Sequence, residues 1–327
     1  MKRILFATLA ALQFFAARGA EVLQQMNDVP LPGNPTRFDY QSYDVKSGRL
    51  YISHMGDGEL VVFDTKAEKV ITNISGFPVI TGVLVVPSLK KLYGSVTKNH
   101  EMAVVDTETL RIIKRIPDGD FPDGLAYSPE TSRLFVSDES GEAETVIDAV
   151  NDEKIESIKM GGEVGNTQYD PTSRLIYCCV QTRNQFIAID PEKKAIIARY
   201  DLKGGKHPHG FYIDDEHNKA YISCQGDAKL IEFNLATHKE QEVFSVGKSP
   251  DVLAYDRKLN LLYVACESGV VSIFKCGQKL TKLVDQNIGA NCHTVSVDSQ
   301  THKVYFPLKN INGSPLLRIM IPARLDN

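Results

Sequence analysis

The chain has 327 residues, of which 43% are hydrophobic and 24% are charged, and its formal net charge is −4. A chain of this length and composition can bury a large core. The excess of acidic residues argues against nucleic-acid binding, which depends on many lysine and arginine contacts to phosphates.

The first 20 residues have the features of an export signal. Lys2 and Arg3 precede the apolar stretch 4–17, and small residues near its end fit a signal peptidase site. The apolar stretch is short for a membrane span. We therefore expect residues 1–20 to be a signal peptide and the mature protein to be periplasmic or secreted, with no further membrane span. An uncleaved anchor is the alternative.

After residue 36 the chain repeats itself with a period of about 42 residues. An aromatic residue marks each copy, with successive spacings of 42, 42, 42, 44, 42 and 42 residues: Tyr51, Tyr93, Phe135, Tyr177, Tyr221, Tyr263 and Tyr305. Each copy contains short runs rich in Val, Ile, Tyr and Phe between clusters of turn-forming residues, a pattern typical of strands. Strand-rich repeats of this length indicate propeller blades. We predict an all-β, seven-bladed β-propeller with four-stranded blades, forming a single domain over residues 21–327.

The two ends of the repeat region complement each other. The last copy stops before a fourth strand can form, whereas residues 21–36 precede the first full copy. We predict that the segment Val22–Val29 pairs as the outermost strand of the last blade and closes the ring, which leaves no blade open.

Short motifs recur at fixed positions in the copies. They include LYISH, LYVAC and LFVSD around the aromatic residue, an aspartate after a strand in VVFD and AVVD, and the opening PDGLAYSP. With these motifs the chain resembles the YVTN-type β-propeller repeat proteins over nearly all residues after 36. The Thr-Asn of that repeat is absent after every aromatic residue, and the absence of tryptophan excludes the Trp-Asp blade signature. The resemblance implies a propeller fold but no single function, because this fold carries unrelated activities.

Polar residues concentrate at two positions of the repeat that share one rim of a propeller. Five of the seven residues that begin the innermost strands are Asp or His, in the set Asp39, Thr81, Asp123, Gly165, His209, Asp251 and His293. The end of the next strand carries His54, Val96, Asp138, Val180, Cys224, Cys266 and Leu308. Two extra residues before the fifth copy bring Lys206 and His207 to the same rim.

This rim is our candidate functional site. We expect a ligand to be bound by Asp39, Asp123, Asp138, Lys206 and His207. If the protein is an enzyme, the candidate catalytic residues are His209, His293 and Asp251, with an imidazole as the general base. The candidate ligands of one divalent transition metal are His54, His209, His293 and Asp251. A structural role as turn formers is the alternative for Asp123 and Asp251, which both follow proline.

Two functions remain open at this stage. The first is an exported, monomeric propeller that binds a small molecule or a partner protein at the rim. The second is a metal-dependent hydrolase or lyase, similar to lactone-hydrolysing propellers, that acts on a small molecule at the same rim. The sequence contains no nucleophile elbow, phosphate loop or His-Glu-x-x-His motif, so binding is the preferred interpretation.

The six cysteines are a further open point. Most are expected to be buried free thiols, the usual state of cysteine in a large core. A Cys266–Cys292 disulfide is compatible with an exported protein and is the alternative for that pair.

Overall fold

The computed structural model of the chain describes residues 21–323, and the predicted signal peptide, residues 1–20, lies outside them. The described residues form 28 β-strands and two single-turn 3-10 helices, Thr97–Asn99 and Gln181–Arg183. The strands form seven antiparallel four-stranded sheets whose inner strands neighbour one another around a ring. The predicted all-β, seven-bladed propeller is confirmed. Between residues 21 and 323 there is no helix long and apolar enough to cross a membrane.

The first strand, β1 (Leu23–Pro30), belongs to the last blade, and the other strands follow blade by blade from the channel outward. Blade 1 consists of β2 (Gln41–Asp44), β3 (Arg49–His54), β4 (Glu59–Asp64) and β5 (Lys69–Ser75). Blade 2 consists of β6 (Ile80–Val86), β7 (Lys91–Val96), β8 (Glu101–Asp106) and β9 (Arg111–Pro117). Blade 3 consists of β10 (Pro122–Ser128), β11 (Arg133–Asp138), β12 (Ala143–Asp148) and β13 (Glu153–Lys159).

The next three blades repeat this arrangement. Blade 4 consists of β14 (Val164–Asp170), β15 (Leu175–Val180), β16 (Gln185–Asp190) and β17 (Ala195–Asp201). Blade 5 consists of β18 (Pro208–Asp214), β19 (Lys219–Cys224), β20 (Lys229–Asn234) and β21 (Lys239–Ser245). Blade 6 consists of β22 (Pro250–Asp256), β23 (Leu261–Cys266), β24 (Val270–Lys275) and β25 (Thr281–Asn287).

Blade 7 is built from both ends of the chain. It contains β26 (Ser296–Asp298), β27 (Lys303–Ile311) and β28 (Ser314–Pro322), with β1 as its outermost strand. The antiparallel pairing places Leu23 opposite Pro322 and Pro30 opposite Leu316. The predicted closure of the ring is confirmed, with the closing strand displaced by one residue from the predicted Val22–Val29.

Two polar contacts strengthen this closure. The Arg318 guanidinium donates two hydrogen bonds to Asp28, at 2.9 and 2.7 Å. The side-chain amide of Gln286 in blade 6 donates to the carbonyl oxygen of Leu23 at 2.6 Å and accepts from its N–H at 2.9 Å. The closing strand is therefore attached to both its own blade and the preceding one.

The core lies between adjacent blades. The seven aromatic landmarks lie in the second strands and are at most 2% exposed. Phe186 of blade 4 contacts Phe211 of blade 5 edge to face, with 5.1 Å between ring centroids. All six cysteines are buried free thiols, so the structure contains no Cys266–Cys292 disulfide.

The inner strands pack backbone against backbone at two glycines. A Cβ on Gly82 would lie 1.8 Å from the carbonyl oxygen of Asp123, and a Cβ on Gly210 would lie 1.7 Å from that of Asp251. Any larger residue would force these strands apart. The close approach holds Asp123 and Asp251 at the start of their strands, beside the channel.

We predict that Leu23→Ala destabilises the propeller by about 2–5 kcal/mol, because this fully buried side chain anchors the closing strand and its removal leaves a cavity. Urea unfolding followed by circular dichroism measures the loss. The matched control is Met26→Ala on the same strand, where the side chain is 49% exposed and little change is expected. Equal effects of the two substitutions would contradict the role of the buried Leu23 side chain as the anchor of the closing strand.

Candidate functional site

A cavity of about 330 Å³, here called the mouth cavity, lies where the inner strands begin. Five of the positions predicted from the repeat phase line it: Asp39, Thr81, Asp123, His209 and Asp251. Their side chains are brought together because each lies within two residues of the start of an inner strand, and these strands surround the channel. His293 lies beside them, 1% exposed, with its Nε2 3.7 Å from Asp39 Oδ1.

Arg37 connects the acidic residues of the mouth cavity. Its Nη1 donates to Glu267 Oε1 at 2.8 Å, its Nε lies 3.8 Å from Asp39 Oδ2, and its Nη2 lies 4.0 Å from Asp251 Oδ2. On the far side of Asp251, His209 Nε2 lies 3.3 Å from Oδ1. The positive charges of the cavity are therefore engaged with carboxylates inside it.

The buried pair of His209 and Asp251 favours the charged form of both groups. Burial by itself lowers the pKa of His209, but the adjacent Asp251 carboxylate outweighs this effect and raises the pKa to about 9. Burial acts to raise the pKa of Asp251, but His209 outweighs it and the net shift is downward. His209 is consequently protonated at neutral pH, and in that form it can neither bind a metal nor act as a general base.

Asp123 behaves differently from Asp251. Burial and the neighbouring carboxylates Asp39 and Glu139 raise its pKa to about 8. The hydroxyl group of Tyr40 donates a hydrogen bond to Asp123 Oδ2 at 3.4 Å. Asp123 is therefore mostly protonated at neutral pH, and it would ionise if a positive charge came close to it.

Sequence reasoning missed four mouth residues by one position. The residues that end the second strands were predicted to face the channel, whereas the cavity is lined by the residues that follow them: Met55, Glu139, Gln225 and Glu267. Successive residues of an extended chain point to opposite sides, so a shift of one position changes the side. These four residues share one phase of the repeat, but so do the residues predicted in their place, so the repeat alone does not distinguish the two positions.

Three further mouth residues, Tyr40, Arg37 and Phe121, were also missed. Arg37 and Phe121 share one position of the repeat. Both lie 14 residues before the aromatic landmark of their copy. The signal at this phase is weak, because His207 has the same spacing from its landmark and does not line the cavity.

Lys206 and His207, predicted to bind ligand, are exposed and lie outside the lining of the mouth cavity. Their carbonyl oxygens accept hydrogen bonds from Gly226 and Gln225. Lys206 and His207 thus pair with the neighbouring hairpin through the backbone.

Asp138 and His54, also predicted for the site, are buried beside the mouth cavity without lining it. Asp138 Oδ1 accepts the N–H groups of Phe121 and Gly141, so it supports the loop that carries Phe121. The His54 ring stacks on Phe38 with 4.1 Å between centroids.

The structure brings together three of the four predicted metal ligands, His209, His293 and Asp251, but places a guanidinium among their carboxylate partners. Within residues 21–323, one group of three potential metal ligands has its ligand atoms within 4.8 Å of one another, and it consists of His54, Asp57 and Glu59. His54 is thus separated from the other predicted ligands and belongs to a different cluster.

A second cavity of about 530 Å³ lies along the inner strands. The described residues that line it include no carboxylate and one cation, Arg257. It is larger than the mouth cavity but has fewer charged side chains, and Tyr40 lines both cavities.

Comparison with solved structures shows the β-propeller fold. The WD40 repeats of RRP9 align with a TM-score of 0.77 and 9% identity over 91% of this chain and 99% of that chain. A hydrazine synthase chain from Kuenenia stuttgartiensis aligns with a TM-score of 0.75 and 15% identity over 97% of this chain and 100% of that chain. A chain of a mitotic checkpoint complex aligns with a TM-score of 0.77 and 11% identity over 98% and 99% of the two chains.

The sequence matches no protein-family model and no curated protein sequence. The structural neighbours support a β-propeller repeat protein, and the narrower resemblance to the YVTN-type family stays a prediction.

We predict that His209 contributes about 3 kcal/mol to the stability of the protein at and below pH 6.5, with the size set by the upward shift of its pKa. A histidine whose pKa is raised by folding loses this contribution as the pH rises from about 6.5 to about 9. Urea unfolding across this range measures it as the difference between the parent protein and His209→Gln. The control is His217→Gln, a half-exposed histidine bound to Asp214. A difference that does not shrink with rising pH would contradict the His209–Asp251 pair.

Proposed function

We propose that the protein binds a small organic cation, a compound with an ammonium group, in the mouth cavity. The observation that carries this proposal is the charge balance of the lining. Five carboxyl groups, from Asp39, Asp123, Glu139, Asp251 and Glu267, line the cavity with two cationic side chains, Arg37 and His209, and His293 lies beside Asp39. Asp123, mostly protonated at neutral pH, adds its charge when a cation comes close. Both cations are already engaged by carboxylates, so the remaining negative charge is available to a ligand.

The available charge lies on the side of the cavity formed by blade 3. Glu139 accepts a hydrogen bond from the amide of Gln181 at 2.8 Å, and Asp123 accepts one from Tyr40. Neither carboxyl group has a cationic partner among its hydrogen bonds. A ligand ammonium group placed between them would supply a cationic partner through the attraction of its charge.

Aromatic side chains adjoin these carboxyl groups. Phe121 and Tyr40 line the same cavity, and an aromatic face attracts a cation through its quadrupole. Carboxylates together with aromatic rings form a typical environment for alkylammonium groups. The volume of about 330 Å³ is at the lower end of ligand pockets, which favours a small molecule or a single side chain of a partner protein, such as lysine.

The alternative, a metal-dependent hydrolase or lyase at this rim, has less support. A metal between Asp39 and Asp251 would have to displace or sit beside the Arg37 guanidinium, which carries a permanent positive charge. It would also require His209 to lose its proton, against the effect of Asp251 on its pKa. The binding interpretation requires neither change.

We expect choline to bind about tenfold more tightly at pH 9 than at pH 7, because Asp123 ionises across a pKa of about 8 and only the ionised form pairs with a cation. Choline keeps its charge throughout this range, so any change of affinity with pH comes from ionisation of the protein. Isothermal titration calorimetry measures the affinity. Asp123→Asn should remove this part of the pH dependence, and Glu139→Gln should weaken binding about tenfold at both pH values.

The controls test whether choline affinity depends on the ligand's charge and not on its shape, and whether it depends on the carboxylates of the cavity and not on carboxylates elsewhere on the protein. Dimethylbutanol, the uncharged carbon isostere of choline, should bind more weakly than choline. Glu108→Gln, at an exposed carboxylate paired with Lys90, should leave the affinity unchanged. Absence of saturable choline binding, or equal affinity for the uncharged isostere, would contradict the proposal.

A further inference from the structure

Beside the mouth cavity, three potential metal ligands come from one turn of blade 1. His54 ends β3, Asp57 lies in the turn, and Glu59 begins β4. Their ligand atoms all lie within 4.8 Å of one another. The His54 side chain is completely buried and that of Asp57 is 8% exposed, so this cluster differs from the exposed acidic groups that are common on protein surfaces.

The hydrogen bonds of Thr36 establish which nitrogen of His54 carries the proton. Thr36 Oγ1 donates to Asp57 Oδ1 at 2.6 Å and lies 3.0 Å from His54 Nε2. A hydroxyl group has one hydrogen, which is used by Asp57, so Nε2 must be the donor to Thr36. In the neutral imidazole Nδ1 then carries a lone pair.

This lone pair has no partner among the described residues. His54 Nδ1 is buried, makes no hydrogen bond, and lies 3.9 Å from Asp57 Oδ2. A proton on Nδ1 would not form a hydrogen bond to Asp57, because 3.9 Å is too long for one. An acceptor nitrogen therefore faces carboxylate oxygens with no hydrogen between them, an arrangement that costs free energy unless a cation lies there.

The surroundings of the cluster match those of metal-binding histidines. Such a histidine commonly donates its second N–H to a polar group that fixes the ring, as Nε2 does here through Thr36 to Asp57. The loop before blade 1 covers the site closely, since a Cβ on Gly33 would lie 2.4 Å from Asp57 Oδ2 and 3.1 Å from His54 Nδ1. Gly33 has a φ of +93°, which favours glycine. Glycine is therefore required here both by the backbone conformation and by the lack of room for a side chain.

We propose that His54, Asp57 and Glu59 bind a divalent transition metal of the zinc class, which would fix the turn of blade 1 and the loop before it and take water as its fourth ligand. One imidazole and two carboxylates suit Zn²⁺, whereas Ca²⁺ and Mg²⁺ prefer oxygen ligands alone. Ligand atoms around a tetrahedral zinc ion lie about 3.4 Å apart, so the cluster must contract slightly on binding.

The carboxylates of the cluster already accept hydrogen bonds, and a bound metal would have to displace some of these donors. Asp57 Oδ2 accepts the N–H of Asn34 at 2.7 Å and its side-chain amide at 3.2 Å. Glu59 accepts the side-chain amide of Asn73. The metal would replace the longer bond from the Asn34 amide and leave the backbone contact in place.

This site is independent of the proposed cation site but adjacent to it. Met55 follows His54 and Arg37 follows Thr36, and both line the mouth cavity. A metal at the cluster would therefore hold one wall of the cavity rigid without contacting its ligand.

The test is metal binding by the full protein after treatment with a chelator. ZnCl₂ is titrated by calorimetry, bound metal is counted by mass spectrometry, and Co²⁺ reports its ligands by its visible absorption. We expect one equivalent of Zn²⁺, a Tm higher by several degrees, and no comparable effect of CaCl₂. Glu59→Gln removes a ligand charge and keeps an acceptor for Asn73, and it should weaken Zn²⁺ binding at least about tenfold.

The matched control is His217→Gln. His217 also pairs with an aspartate three residues away, Asp214, but at a hydrogen-bonded 2.9 Å and with its own side chain 44% exposed, so this substitution should not change Zn²⁺ binding. Absence of stoichiometric binding, or equal binding by Glu59→Gln and the parent, would overturn the proposal. So would metal that is lost in Asp251→Asn and kept in Glu59→Gln, because that result places the metal in the mouth cavity.

Discussion

The pairing of β1 with β28 is the interaction on which the rest of the structure depends. Each of the other six blades is formed from one continuous segment, whereas blade 7 joins residues from the two ends of the chain. A sheet edge left unpaired exposes a row of N–H and C=O groups, and a closed ring removes the gap between first and last blades. The channel, and with it the mouth cavity, exists only when this ring is complete.

Closure also determines which residues meet in the mouth cavity. Asp39 belongs to the start of blade 1 and His293 to the start of blade 7, and their contact crosses the closing point of the ring. Arg37 lies in the segment between β1 and β2 and reaches Glu267 of blade 6. The electrostatic character of the cavity thus depends on contacts between residues that are far apart in sequence.

Much of this architecture follows from a regular repeat. The spacing of the aromatic landmarks predicts seven equivalent blades, and equivalence carries Asp39, Asp123, His209 and Asp251 to equivalent places around one channel. The same logic explains the closing strand, because a last copy with three strands requires a fourth from elsewhere. The position of a residue within its repeat copy thus determines the strand on which it lies and the end of the channel to which it is close.

The remaining part of the site depends on the local path of the chain at strand ends and in loops, which the repeat does not specify. Whether Asp138 or Glu139 faces the channel depends on how the chain leaves a strand, and two adjacent residues at a strand end do not differ in any property that the repeat reveals. Arg37 precedes the first inner strand, in a connection with no counterpart of the same charge in other copies. The relation of His54 to Thr36 depends on the path of the loop before blade 1, which the sequence does not specify.

The composite blade has a consequence for the order of events during biosynthesis. The strand that completes the ring is synthesised before all the other described strands and its partner after them, with nearly all of the described residues between Leu23 and Pro322. Blades 1 to 6 can assemble as the chain grows, but β1 stays unpaired until its partner β28 has been synthesised. The nascent protein therefore carries a free strand through most of its synthesis, and such strands are the usual starting points of misassembly.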